Sequence, residues 1–238
     1  MNKIIFFAVF IFLTKQLFAQ DNRTICKQID ELNVAILNNA IDKSQAAKRF
    51  KKLILELGVN IPIDDNVSWV FPLQGYNYRA IGGTNGDGYN DHGYDYLDGN
   101  KHLAHPAHDI FIRDKDQDCL DDRTHRPVNV LAIADGIVIA CSNQWDPNSK
   151  LRGGKYIWIY HRSLWLFTYY AHNQAIFVKP GDLIRQGQKI AEVGRTGFNA
   201  YKKRSPTHLH FSAFHFNSRT WLPVPYNPYR QLIYAKTQ

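Results

Sequence analysis

The sequence predicts a mainly β chain, an antiparallel sandwich or open barrel, preceded by an N-terminal helical hairpin. Two observations carry this. From Val67 onward, apolar residues gather in many short runs separated by Gly and Pro, with no helices between them, the pattern of an all-β fold. Before that point, residues 21 to 58 repeat apolar side chains at three- and four-residue spacing, which lines one helix face. A length of 238 residues with 45% hydrophobic content suits one well-packed domain plus a small appendage, not two full-sized domains.

The chain opens with the positively charged Met1-Asn2-Lys3 and an unbroken apolar run of ten, Ile4 to Leu13. That run is too short to span a bilayer and suits the apolar stretch of a signal peptide, with Ala19 a small residue at the cleavage point. The alternative is an uncleaved membrane anchor. Residues 1–19 are thus read as a signal peptide and residues 20–60 as a helical segment. Ile25, Ile29, Leu32, Ala35 and Ile36 mark the first helix. Asp42 or Ser44 caps the second, which runs through Phe50, Leu53, Ile54 and Leu57 to Gly58. This hairpin is expected to pack on the rest as an appendage. A targeting or inhibitory pro-segment is the other reading.

Residues 72 to 104 are rich in Gly, Asn, Asp and Tyr and read as irregular loops; the glycines at 82, 83, 86 and 88 lack a following Lys-Ser/Thr and are turns, not a phosphate loop. Strand-like runs follow at His108 to Ile112, Val128 to Ala134, Gly136 to Cys141, Tyr156 to His161, Leu164 to Ala171, Leu183 to Ile184, Lys189 to Val193 and His208 to Phe216. Arg162-Ser163 is expected as a two-residue hairpin link. Residues 67–228 form the β domain, and residues 229–238 read as a polar tail.

Net charge is +8 with a pI near 9.3, which favours anionic partners. No basic run with interleaved aromatics marks a nucleic-acid patch; the tightest basic cluster is Lys202-Lys203-Arg204. Nothing after residue 19 is long and apolar enough for a membrane helix. The three cysteines are Cys26, Cys119 and Cys141, with Cys119–Cys141 the better candidate for a disulfide, worth about 3 kcal/mol through loop closure.

Three segments carry chemistry: His105-Pro106-Ala107-His108-Asp109, Tyr170-Ala171-His172 and Thr207-His208-Leu209-His210-Phe211. In an extended strand, alternate residues share a face. His105, Ala107 and Asp109 then point one way and His108 the other, while His208 and His210 share a face with Leu209 opposite. Imidazoles with one carboxylate are zinc ligands, and a catalytic zinc takes three protein ligands and keeps one position open. Four such groups would close the site, so one strand-mate stands off as a proton carrier. His102, His108, His161 and His215 read as surface or packing residues. Asp114, Asp116 and Asp118 alternate as in a calcium loop, but Cys119 replaces its turn glycine and His125 its last glutamate; Ca2+ at these three residues is set against a solvated acidic loop.

Taken in order, His105-x-x-x-Asp109, Tyr170-Ala171-His172 and His208-x-His210 resemble the signature of the lysostaphin/LytM-type zinc metallopeptidases, which act on peptidoglycan. Val130 to Val138 is similar to that family's "V-x-A-x-x-x-G-x-V" strand. Val178 to Gly197, with Gly181, Gly187, Gly194 and Gly197, is similar to its Gly-punctuated segment. The likeness spans roughly residues 69 to 216 and leaves out the helical region. It implies an antiparallel β fold of the duplicated hybrid motif type with a groove over one Zn2+. Carried over by residue, it implies His105, Asp109 and His210 as zinc ligands, with His172 and His208 as the catalytic imidazoles. Implied too are an exported protein, periplasmic or secreted, and peptide stems or cross-links of peptidoglycan as substrate. Two departures bear on the groove: Ala107 stands where the family often has Gly, and the loop from Arg113 to Val128 is longer than usual.

Two rival readings stand beside this one. The first is a catalytically silent relative that binds wall or activates another hydrolase, although such relatives usually lack one or more of the five groups kept here. The second is a biotinyl/lipoyl carrier, which Val178 to Gly194 resembles, but no lysine stands at a tight hairpin.

Overall fold

The computed structural model describes residues 22–58, 67–101 and 103–238. The expected signal peptide and His102 lie outside these. Helix α1 covers residues 22–37 and α2 Lys43–Glu56. Between them Asp42 caps α2, its carboxylate accepting from the backbone N–H groups of Ser44 at 2.9 Å and Gln45 at 3.1 Å, which satisfies two donors the helix itself cannot. Gly58 ends α2 in the left-handed region, where a glycine carries no Cβ penalty.

Among the described residues twelve strands follow: β1 His108–Phe111, β2 Leu120–Asp121, β3 Arg126–Pro127, β4 Asn129–Leu131, β5 Gly136–Ser142, β6 Tyr156–His161, β7 Leu166–Ala171, β8 Ala175–Ile176, β9 Leu183–Ile184, β10 Lys189–Glu192, β11 His208–Phe216 and β12 Pro223–Tyr226. The main sheet is antiparallel, ordered β1-β11-β7-β6-β5-β9, with β12 also on β11. It stays open rather than closing into a barrel. A smaller sheet β4-β10-β8 and the pair β2-β3 complete the strands. The fold is therefore mainly antiparallel β with N-terminal helices, as expected.

The period of two explains how the sheet takes two coats. Leu209, Phe211 and Ala213 of β11, with Ile157 and Ile159 of β6, face a core shared with Val130 of β4 and Ile190 of β10. Phe214 of β11, Phe167 of β7 and Trp158 and Tyr160 of β6 face the opposite way, into a core built with Ile25, Ile29, Leu32, Phe50 and Ile54 of the helical hairpin. All six residues of β6 are buried, because both its faces are covered. The hairpin is thus the second layer over the sheet, and the Asp30 carboxylate of α1 accepts from Cys141 N–H at 2.9 Å to tie it to β5.

Two expectations are corrected. Arg162-Ser163 is not a two-residue link: a 3-10 turn Arg162–Leu164 and a left-handed Trp165 join β6 to β7. In this position the Trp165 indole packs on Phe216 and Trp221. Cys119 and Cys141 do not pair, and all three cysteines are free. Residues 229–238, read as a polar tail, are partly ordered against the β domain. A short helix, α3 (Tyr229–Tyr234), buries Leu232 completely. Lys236 then exchanges backbone hydrogen bonds of 2.8 Å with Trp69 and Phe71.

Candidate metal centre

Asp109 sits on β1 directly opposite His210 on β11, so the strand register alone brings two of the named residues together. His208 and His210 share the face of β11 that looks toward the helical hairpin, with Leu209 turned into the other core. His105 arrives differently. It lies before β1, in a bridge to Asn90, and Ala107 N–H bonds back to its carbonyl at 2.8 Å. The extended geometry expected through Pro106 is replaced by a tight turn, yet His105 still reaches Asp109. His172 follows β7 with φ of +67°, a conformation a non-glycine residue holds only where its surroundings enforce it. Its N–H bonds Gly153 O at 2.9 Å.

The ligand-type atoms converge. His210 Nδ1 lies 3.2 Å, His105 Nε2 3.3 Å and His208 Nε2 3.7 Å from Asp109 Oδ1. His105, Asp109 and His210 each offer an atom within 4.8 Å of the others. The His172 ring lies 4.9 Å from that of His208 and 5.5 Å from that of His210. His108 turns away as expected, buried with Nε2 at 2.9 Å from Asn227 Oδ1. His161 is a packing residue, bonded to Asp135 O and Thr168, and the exposed His215 sits with its ring 4.3 Å from that of Tyr226 at a tilt of 54°.

The outer nitrogens are spoken for. His105 Nδ1 meets Gly88 O at 3.0 Å, His172 Nδ1 meets Thr196 O at 2.7 Å and His208 Nδ1 meets Pro206 O at 2.7 Å. A carbonyl only accepts, so each Nδ1 carries the proton and each Nε2 keeps its lone pair inward in the neutral ring. Such carbonyl-anchored imidazoles are the usual state of metal-binding and proton-carrying histidines.

Asp109 Oδ1 is shut off from solvent and forms no hydrogen bond of acceptable geometry, although three imidazole nitrogens stand within 3.7 Å. Groups arranged so are aimed at a shared point rather than at one another. Tetrahedral zinc with bonds of roughly 2.0–2.2 Å sets its ligand atoms about 3.3–3.6 Å apart, close to the 3.2 and 3.3 Å here. The donor set fits that ion.

Burial alone would raise the Asp109 pKa, but His105 and His210, with His208 beyond them, outweigh it and hold the carboxyl well below the usual carboxylate range. Asp109 is the main cause of the raised pKa of His105. Burial lowers His210, and it lowers His172 much further, with His208 and His210 adding to the effect. His172 is therefore a neutral imidazole at pH 7.

The calcium reading of Asp114, Asp116 and Asp118 finds no support. Asp114 is buried, its carboxylate accepting from the N–H groups of Asp118 and Cys119 and from the Thr207 hydroxyl. Asp118 accepts from Leu120 N–H. Asp114 instead ties the long loop to Thr207, the residue just before β11.

A cavity of about 290 Å³ opens beside the histidines, reaching Asn33, Ile36 and Leu37 of α1. Its walls include Tyr94, Arg152, Trp158 and Tyr169, none of which the sequence reading singled out. Asn33 had a signal, as a polar residue on the apolar stripe of α1. Arg152 had none, since nothing local marks which surface arginine faces a cavity.

Residues 117–222 match the model of peptidase family M23, and the resemblance to the lysostaphin/LytM-type peptidases holds. His172, His208 and His210 fall inside the matched stretch. His105 and Asp109 precede it; Asp109 is brought in by the β1–β11 register and His105 by its bridge to Asn90. The murein hydrolase activator NlpD of Escherichia coli (strain K12) is 35% identical over 102 residues, 42% of this chain and 23% of that protein; the protein of that name from Salmonella dublin matches to the same extent. The chain spans about a quarter of the length of these curated relatives. Among solved structures, the catalytic domain of the antimicrobial peptidase lysostaphin from Staphylococcus simulans is 21% identical, with a TM-score of 0.38 over 71% of this chain and 93% of that one. A zinc containing peptidase from Vibrio cholerae is also 21% identical, with a TM-score of 0.35 over 75% of this chain and 40% of the other.

Proposed function

We propose that this chain is an exported zinc metalloendopeptidase, periplasmic or secreted, that hydrolyses peptide bonds in peptidoglycan stems or cross-links. The carrying observation is the convergence of His105, Asp109 and His210 on one point with two further imidazoles beside it. The apolar run Ile4 to Leu13 supports export.

In this reading His105, Asp109 and His210 hold the ion, which supplies Lewis acidity, polarising a carbonyl and lowering the pKa of water. His172 and His208 flank the reacting carbonyl. His172, neutral and anchored through Nδ1–H to Thr196 O, offers Nε2 as the proton acceptor. His208, its Nδ1–H held by Pro206 O, donates from Nε2 to the oxyanion or to the leaving amine only in its protonated, imidazolium form. Such acid–base roles are typically worth about 10²–10⁴-fold each.

The test is digestion of purified peptidoglycan, with zinc content measured on the same sample. Fragment release abolished by a chelator and restored by zinc is expected, with Asp109→Ala inert and metal-free. Native protein that binds no zinc, or unimpaired digestion by the Asp109→Ala protein, would sink the reading. A second reading is a silent activator of another cell-wall hydrolase, favoured by the name of the Escherichia coli relative. It requires no fragment release by this chain alone and a faster partner hydrolase in its presence.

A further inference from the structure

We propose that Asn173 and Thr196 are positioning residues for His172, two buried polar side chains that fix the orientation and tautomer of its imidazole by clamping three stretches of backbone around it. The proposal rests on the peptidase reading, in which His172 accepts the proton, and deepens it by naming what holds that ring in place.

His172 has no regular strand to hold it. It leaves the end of β7 with φ of +67°, and its ring is tied through Nδ1–H to Thr196 O at 2.7 Å. Such a bond orients a ring only as well as the carbonyl is itself held. The turn that carries His172 is fixed from the backbone: its own N–H donates to Gly153 O at 2.9 Å, and that of Asn173 to Lys155 O at 3.1 Å. The Thr196 carbonyl belongs to another loop, 24 residues further along the chain. The side chains of Asn173 and Thr196 join the two.

The Asn173 amide nitrogen donates at 3.0 Å to Lys155 O, just before β6, and at 3.0 Å to Tyr170 O, within β7. The second bond closes the turn that carries His172, and the first ties that turn to the neighbouring loop. Among uncharged side chains, only an amide offers two N–H donors on one nitrogen. Its Oδ1 is buried with no partner, a penalty that an apolar residue of similar size would avoid. The two donated bonds are therefore what this position gains from asparagine. The Thr196 hydroxyl works in both directions, accepting from Lys155 N–H at 2.9 Å and donating to Asn173 O at 2.9 Å. One side chain thus links the loop before β6, the turn after β7 and the loop whose carbonyl holds the imidazole. The fit is close: a Cβ on Gly154 would fall 2.5 Å from Thr196 Oγ1, and one on Gly194 2.8 Å from the Asn173 carbonyl carbon. Asn173 and Thr196 are both buried, so they act through His172 and not on the wall polymer.

The test reads the ring and the reaction separately, on the full chain as purified. Long-range proton–nitrogen NMR spectra, with His172 assigned by its loss in His172→Gln, should show the Nδ1–H tautomer alone. Thr196→Val removes the hydroxyl at nearly constant volume, and a mixture of the two tautomers is expected. Asn173→Ala, which removes both amide donors, should give the same mixture, whereas Thr196→Ser keeps the hydroxyl and the single tautomer. On solubilised peptidoglycan, Thr196→Val should lower kcat by about 10²-fold, the order that a misplacement of about 1 Å can cost, with KM and zinc content unchanged. Thr196→Ser should recover most of that loss. A wild-type tautomer pattern in Thr196→Val or in Asn173→Ala, or a loss of kcat in Thr196→Ser equal to that in Thr196→Val, overturns the proposal. The spectra need no turnover. A wild type that leaves the wall uncut would therefore sink the peptidase reading alone, and the tautomer of the ring would still decide this one.

Discussion

His172 occupies a left-handed backbone position that is uncommon for a non-glycine residue, and a neighbouring glycine leaves room for the arrangement. Gly197 has φ of +113°, and a Cβ there would fall 2.3 Å from Arg152 O and 2.8 Å from His172 Nδ1. Gly197→Ala is therefore expected to displace the imidazole and to cost about 1–3 kcal/mol through backbone strain alone, read as a lower melting temperature and slower wall digestion. His161 makes a separate prediction. Burial lowers its pKa from 6.5 to about 4, so below pH 6.5 the unfolded chain binds a proton that the folded chain refuses. The neutral ring therefore contributes stability that is whole above pH 6.5 and is lost as pH falls toward 4, roughly 3 kcal/mol in all. Denaturant midpoints measured across that window should fall for the wild type and flatten for His161→Gln. A slope unchanged in the variant would assign the effect elsewhere.

At the scale of elements, the helical hairpin is the half of a core and not an ornament. Phe50 is buried against Tyr96 and Phe167, and Phe50→Ala should cost about 3–5 kcal/mol. Asp42→Ala, which removes only the cap, should cost about 1 kcal/mol. Equal small losses in both would mean that the hairpin is not docked as described. Removing residues 22–58 should expose Trp158, Tyr160 and Phe214 and give a protein that aggregates. The hairpin was legible because Ile25, Ile29, Leu32 and Ile36 keep helical spacing; its destination was not, since periodicity shows a buried face without naming what covers it. The same limit hid the ending. Residues 229–238 offer one fully buried side chain, Leu232, and are held mostly by backbone bonds from Lys236, which leave no trace in residue type.

For the whole molecule, the strands were legible where both faces or one face of a long run are apolar. Tyr156–His161 and His208–Phe216 are found at the residues expected. The shared face of His208 and His210 was legible for a related reason, because alternation across β11 sets them together whatever the rest of the chain does; their grouping with His105, Asp109 and His172 came from the family resemblance. The turn at Pro106 was not, and neither was Arg152, since both depend on contacts made far along the sequence. Ion binding to the folded state alone should raise the melting temperature with zinc concentration and reverse with chelator. Differential scanning fluorimetry showing no shift, alongside confirmed zinc binding, would mean the site is equally formed in the unfolded chain.

Asp109 and His210 are neighbours only across the β1–β11 pair, about a hundred residues apart along the chain. Nothing local can assemble this pair, and contacts of such long separation form slowly. Zinc uptake should therefore act as a clock for the closing stage of folding. In a refolding experiment, metal capture seen by a competing indicator dye should lag the recovery of helical circular dichroism and coincide with the burial of the tryptophans.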